Sequence, residues 1–181
     1  MGTRHLHCAV IDGEYKVAQY GQWDGYPSGQ GTDLLEILRG VNLDYLKKTI
    51  KNCQYLTEDE IKVIDDDLDW KVTYPYLSRD TGAQIYRFIN DNNGLKLVNK
   101  LKFAADSLFC EWAYVIDFDK NTLEVYRGFN EIALTEADRF FFLNEFREKN
   151  YHPVKLVATF DLTNLPNDDT FLASFKDPED E

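Results

Sequence analysis

"HLHCAVIDGEYKVAQY", residues 5–20, is the stretch that decides the fold. Two runs rich in strand-forming residues flank Asp12-Gly13, a pair that tolerates the positive φ angles of a two-residue hairpin turn. This turn pairs Ile11 with Glu14 and places His5 across from Tyr20. Because opposite residues share a face, the pattern predicts a core side and a second side. The core side comprises Leu6, Cys8, Val10, Tyr15 and Val17, and the second side comprises His5, His7, Ala18 and Tyr20.

The rest of the chain predicts a second hairpin, a last strand and several helices. The runs 111–118 and 122–129 flank a turn at residues 119–121, and "HPVKLVATFDL" (152–162) predicts a fifth strand. Thr57-x-x-Glu60 is a capping box and marks the clearest helix start. Further helices are predicted at 32–41, 43–52, from about 80 to 93, at 135–150 and at 170–175. The order predicts a single α+β domain over 1–181, with a largely antiparallel sheet built from two hairpins plus a C-terminal strand.

The charge is acidic and concentrated. The chain has 32 acidic against 20 basic residues, a net charge of −12. Residues 58–69 and 161–181 each carry seven acids and one lysine, a net −6 apiece, so the remainder is neutral. An acidic surface repels phosphate and disfavours tight non-specific nucleic-acid binding by this chain alone. It favours a basic protein partner, although a purely solubilising surface explains either cluster as well.

Cysteine and hydropathy patterns predict a protein of the reducing cytoplasm. Three cysteines, an odd number, form no C-x-x-C pair. Neither the cysteines nor the histidines have zinc-ligand spacing, so no metal or cofactor is expected. No run approaches the roughly 18 apolar residues of a membrane span, and the N-terminus lacks a secretory signal.

"GQWDGYPSGQG", residues 21–31, is the candidate site. Its glycines permit backbone N–H groups to face a ligand at the start of the next helix, but the Walker and dinucleotide-binding patterns are absent. Asp24 beside Trp23 suits a carboxylate of raised pKa, while the structural alternative makes Asp24 a turn residue and Trp23 a core residue. Gln22, Tyr26 and Gln30 are candidate recognition groups.

Several polar residues elsewhere are candidates for the same site. His5 and His7 share a strand face and suit general acid–base chemistry, unless both are simply packed within the hairpin. Arg79 suits an anion clamp, and Asp80 is either a helix cap or a binding residue. Glu111 is a candidate second carboxylate.

Three motifs together carry a resemblance. "VAQYGQWDGYPSGQG" (17–31), "SRDTGAQI" (78–85) and "CEWAYVIDFDKNTLEVYRGF" (110–129) resemble a poorly characterised family of small intracellular proteins from bacteria, phages and fungi. The resemblance covers roughly residues 4–130, and the Q-Y-G-Q-W-D-G-Y-P run is its most specific part. It implies no settled chemistry.

One phage branch of that family is similar in size and implies an anti-CRISPR function. Such a protein would inhibit a type II RNA-guided nuclease, with truncation of the guide RNA as one mechanism. Metal-independent RNA cleavage needs a base, an acid and a cation; His5 or His7, Asp24 and Arg79 are the candidates for these roles.

Two other functions remain open from the sequence. One is a non-catalytic binding protein whose acidic faces mimic nucleic acid. The other is an amide-processing hydrolase of the N-terminal-nucleophile type, which requires cleavage that exposes Thr3.

Overall fold

Five strands form the main sheet in the part of the chain that the computed structural model describes, residues 2–147 and 150–176. The spatial order is β2-β1-β5-β6-β7, in which β1 and β5 are parallel and all other neighbours are antiparallel. A separate parallel pair joins β3 to β4. The strands are β1 His5–Ile11, β2 Glu14–Gly21, β3 Gln54–Tyr55, β4 Lys96–Leu97, β5 Trp112–Asp117, β6 Thr122–Arg127 and β7 Lys155–Asp161.

The helices are short and lie mostly between β2 and β5. They are α1 Thr32–Gly40, α2 Leu43–Lys51, α3 Glu58–Asp65, α4 Trp70–Thr73, α5 Ile85–Asp91 and α6 Asp168–Ala173. A π-helical turn, Pro27–Gly31, runs directly into α1. Tight 3-10 turns cover Leu101–Ala105 and Phe141–Phe146. With 38% helix, 22% strand and a mostly antiparallel main sheet, the predicted α+β class is confirmed.

Both faces of the main sheet are buried. On one face, α1, α2, α5 and α6 pack their apolar side chains against residues such as Ile11, Tyr114 and Ile116. On the other face, the two 3-10 segments cover Cys8, Val115 and their neighbours. Strand β1 is therefore buried along its whole length, which explains why its sequence lacks the apolar–polar alternation of a strand with one wet face.

The first hairpin is confirmed, but its predicted register is wrong beyond the turn. Ile11 pairs with Glu14 as predicted, whereas a β-bulge at Lys16 shifts the remaining pairs, so that His5 pairs with Gly21 and not with Tyr20. One extra residue moves the following side chains to the opposite face. Val17 consequently shares the histidine face, while Ala18 lies in the core cluster of Leu6 and Cys8.

The helix predictions hold except near two sites of tertiary contact. The capping box of Thr57 and Glu60 opens α3. The helix expected from about residue 80 begins only at Ile85, because Gly82 has a positive φ of 53° and a 3-10 turn precedes the helix. The long helix predicted over 135–150 is not present in its described part, because residues 135–147 form turns and a 3-10 segment. Glu148 and Lys149 lie outside the described residues.

Across the described residues, no helix is long and apolar enough to cross a membrane.

Candidate functional site

The backbone N–H groups of Gly25, Gly29, Gln30 and Gly31 in the 21–31 loop are all engaged in hydrogen bonds, either within the loop or to Thr3. Gly25 N donates to the Thr3 carbonyl at 3.0 Å, Gln30 N to Asp24 at 2.8 Å, and Gly31 N to Tyr26 at 3.3 Å. The π-helical turn continues into α1, so this helix offers no free N-terminus here. The amides therefore hold the loop together, and the phosphate cradle that the glycines allow in principle is not formed.

Two glycines of the loop are required by close packing. A Cβ at Gly21 would lie 2.2 Å from the His5 imidazole, and a Cβ at Gly25 would lie 2.7 Å from the Thr3 carbonyl oxygen. Both distances are shorter than any tolerable contact. The glycine content of the motif thus reflects how tightly the loop packs on β1.

His5 and His7 lie beneath this loop and are shielded from solvent. They are 1% and 0% exposed, and their ring centroids are 5.1 Å apart in an edge-to-face arrangement. Burial lowers the pKa of His5 well below its usual value, with a further contribution from His7. Burial likewise lowers the pKa of His7 to about 4. Both rings are therefore neutral at pH 7, and neither contacts the surface where a substrate would bind.

Gln30 ties three segments together below the loop. Its Oε1 accepts a hydrogen bond from Ala83 N at 2.7 Å and lies 3.3 Å from His7 Nε2. Since Oε1 is an acceptor, the His7 proton belongs on Nε2. In the described structure, His7 Nδ1 and both ring nitrogens of His5 lack a hydrogen-bond partner. Gln30 is a buried connector between the loop, β1 and the segment before α5.

The outer side of the loop is joined to residues 78–80. Trp23 Nε1 donates to Asp80 Oδ1 at 2.7 Å, and Gln22 N donates to the Arg79 carbonyl at 2.9 Å. Ser78 also donates to Asp80, at 3.1 Å. The hydrogen bonds from Trp23 and Ser78 lower the pKa of Asp80. The structure thus brings together Gln22, Trp23, Arg79 and Asp80, and two separate motifs form one surface.

The remaining candidates lie apart from that hydrogen-bonded surface. Asp24 is exposed and has a left-handed backbone with φ of 55°. Tyr26 is 53% exposed, and Trp23, which belongs to the hydrogen-bonded surface, is 45% exposed, so the prediction that Trp23 fills the core is wrong. Glu111 is bonded through its backbone, with its N–H to the Arg4 carbonyl at 3.1 Å. Thr3 is 6% exposed, and its carbonyl holds Gly25.

A buried ionic network was missed from the sequence. Arg139 donates to Asp117 and to Glu124, with Nε 2.7 Å from Glu124 Oε2. Tyr126 donates its hydroxyl proton to Glu124 Oε2 at 2.5 Å. Both carboxylates are at most 5% exposed; Arg139 lowers their pKa values against the opposing effect of burial. The sequence carried no signal for this network, because the alternation in 122–127 places Glu124 on the side opposite the apolar Leu123 and Val125.

The segment Glu58–Tyr74, which we call the acidic arm, contains no buried residue. It includes α3, α4 and seven of the acidic residues. It also exposes three apolar side chains, Val63 at 70%, Leu68 at 100% and Val72 at 81%. A segment that is both acidic and apolar at its surface differs from a purely solubilising one. The second acidic cluster, 161–181, lies only partly within the described residues, since 177–181 are outside them.

No group of three or more His, Cys, Asp or Glu side chains suited to a metal occurs among residues 2–147 and 150–176. The three cysteines are free and buried, and burial raises the pKa of Cys8 to about 12. This placement of Cys8 in the core is unsuited to a nucleophile.

The chain was compared with protein-family models, with curated proteins and with solved structures, and none of these comparisons gives a match.

Proposed function

We propose that this protein is a binding inhibitor that docks on a basic, nucleic-acid-binding protein through its acidic arm. The observation that carries the proposal is the exposure of Val63, Leu68 and Val72 within a segment that has seven acidic residues and two lysines, a net charge of −5. Acidic side chains steer a basic partner toward the surface. Exposed apolar side chains supply the contacts that exclude water once the partner is bound.

The partner class that the resemblance suggests is a type II RNA-guided nuclease, which would make the protein an anti-CRISPR inhibitor. Such a nuclease holds its guide RNA in a positively charged channel, so an acidic arm has a complementary surface available. The burial of His5 and His7 favours inhibition by occupancy over cleavage of the guide RNA, because neither imidazole reaches a bound strand.

The electrostatic part of the proposal is tested by removing charge from the arm. We expect D65N/D66N/D67N to weaken binding to a guide-loaded type II nuclease by about tenfold at low salt, through slower association. The matched control is E131Q/E136Q/E145Q, which removes the same charge from exposed positions elsewhere. Equal weakening by both variants would reduce the effect to net charge and contradict docking through the arm.

The apolar part is tested with L68S/V72S. We expect faster dissociation from the nuclease and an unchanged free energy of unfolding, because neither side chain is buried in the fold. I132S serves as the control, since Ile132 is 62% exposed on another segment. Sizing the guide RNA after incubation separates the mechanisms: intact RNA supports inhibition by binding, while shortened RNA overturns it in favour of cleavage.

A further inference from the structure

We propose that a cavity between β2 and α4 binds a nucleotide, either as a free mononucleotide or as the terminal nucleotide of an RNA. The cavity has a volume of about 400 Å³, which lies within the range of small-molecule sites. Its walls come from β2, α4 and the segments 77–79 and 98–100. The cavity shares Trp70 and Lys71 with the acidic arm, but the nucleotide site proposed here does not depend on the docking proposed above.

Three cations surround this cavity in an otherwise acidic chain. Lys71, Arg79 and Lys100 line it, and all three are exposed. Within the described part of the chain, none of them forms an ion pair. The nearby carboxylate of Asp80 is already held by Trp23 and Ser78. Arg79 and Lys71 interact electrostatically with Asp80, and Lys71 Nζ lies 5.8 Å from the centroid of the Trp70 ring. All three cations are nevertheless exposed and can approach an external anion such as a phosphate.

The cavity also has walls suited to a flat ring. Trp70 and Tyr20 line it together with Leu77 and Val98. Tyr20 is fixed by edge-to-face packing on Phe103 at 5.0 Å and by a hydrogen bond from its hydroxyl to Gln22 Oε1 at 2.6 Å. Aromatic side chains stack on nucleobases of any type. A phosphate and a ring are thus accommodated by the same cavity.

Gln19 adds a polar group of defined orientation. It is 5% exposed, and its Nε2 donates to the Tyr76 carbonyl at 3.1 Å, which assigns Oε1 as the acceptor of this side chain. An acceptor in the wall of the cavity matches the N–H donors at the edge of a nucleobase. The bulge at Lys16 is what turns Gln19, and not Ala18, to the face of His7.

The two motifs that define the candidate loop also build this cavity. Tyr20 belongs to the first motif, and Ser78 and Arg79 belong to the second. The hydrogen bond from Gln22 N to the Arg79 carbonyl joins them. The surface formed by Gln22, Trp23, Arg79 and Asp80 therefore has a structural role, which is to hold Arg79 at the edge of the nucleotide cavity.

Calorimetric titration of the purified protein tests the site. The probes are the four 5′-mononucleotides, the four nucleosides, inorganic phosphate and a 5′-phosphorylated RNA tetramer. We expect at least one mononucleotide to bind at least tenfold more tightly than its nucleoside or phosphate alone, since only the nucleotide engages both the cations and the rings. Tighter binding of the tetramer than of the mononucleotides identifies an RNA end as the ligand, and the reverse identifies a free nucleotide.

Variants link the binding to the cavity. R79Q/K100Q is expected to weaken nucleotide binding by tenfold or more, while K48Q, on an exposed lysine of α2, leaves it unchanged. Absence of binding by every nucleotide and by the tetramer overturns the proposal, as does binding that R79Q/K100Q leaves intact. Neither result bears on nuclease docking, which is measured with a different partner and with different variants.

Discussion

At the scale of single residues, we expect Arg139 to contribute the most to the stability of the fold. Its side chain is 11% exposed and pairs with the carboxylates of Asp117 and Glu124, whose side chains taken alone are 3% and 7% exposed. Removing one member of a buried ion pair leaves uncompensated charge in the interior. The network lies between β5, β6 and the 3-10 segment that follows residue 140, so its loss affects the sheet directly.

We expect R139M to lower the free energy of unfolding by about 3–5 kcal/mol, because two buried carboxylates lose their cation. Urea denaturation at pH 7 measures the change. The comparison is R87M, in which an exposed arginine 3.8 Å from Glu36 is lost and less than about 1 kcal/mol is expected. A loss for R139M no larger than that of R87M would show that the network contributes little to stability.

At the scale of elements, Asp119 connects the turns of the two hairpins. Its two carboxylate oxygens accept hydrogen bonds from Asp12 N and Gly13 N, each at 2.8 Å. One side chain in the second turn therefore fixes the backbone of the first turn. Strands β1 and β5, which end at these turns, are held in parallel register by this contact as well as by their own ladder.

We expect D119A to lower the free energy of unfolding by about 1–2 kcal/mol, the low end for two charge-assisted hydrogen bonds at an exposed position. D119N, which keeps one acceptor oxygen, is expected to give an intermediate loss. Chemical denaturation measures both. If D119A matched the parent protein within about 0.5 kcal/mol, the turns would be held by the strands alone.

At the scale of the whole molecule, the buried histidines make stability depend on pH. The folded pKa of His7 is about 4, against about 6.5 in an unfolded chain. Between these values the unfolded state binds more protons, so the free energy of unfolding falls as pH drops through that window. His5 acts in the same direction. The folded pKa values of Asp117 and Glu124 are lowered. Their contribution to the free energy of unfolding is therefore lost only at more acidic pH, near and below about 4.

We expect stability to decrease between pH 7 and pH 4, with about 3 kcal/mol of the loss due to His7. Urea denaturation in steps of half a pH unit measures the slope. The variant H7F keeps an aromatic ring against Tyr114 but cannot titrate, so its slope should be shallower by that amount. An identical slope for H7F and the parent protein would mean that His7 does not carry the pH dependence.

The sequence predicted elements better than it predicted pairings. Asp12-Gly13 and residues 119–121 located both hairpins, because the turn chemistry is local. The bulge at Lys16 has no local signature, so the face of Val17 was predicted wrongly and Gln19 was missed as a cavity residue. Residues 135–147 carry a helix-like start, yet Arg139 and Phe140 both bury their side chains against β6, and these tertiary contacts override the local preference.

The geometry of the candidate residues could not be predicted from the sequence, and their role as a site stays a prediction. Gln22, Trp23, Arg79 and Asp80 meet in the fold, but no pattern in the sequence indicated that these two motifs contact each other. The burial of His5 and His7 was one of two alternatives that the sequence left open, because no single motif specifies the packing of the helices that cover this face of the sheet. The basic side chains Lys71 and Lys100 are far apart in sequence and become neighbours only through the fold.

The parallel pairing of β1 with β5 also determines how the chain reaches its native state. Each hairpin closes over a short loop, but the contact from Asp119 to Asp12 spans 107 residues. Such non-local closure has a large entropic cost, and chains rich in distant contacts fold slowly. The two hairpins should therefore form early as independent units, and their side-by-side association, which also brings the helices between them onto the sheet, sets the rate of refolding.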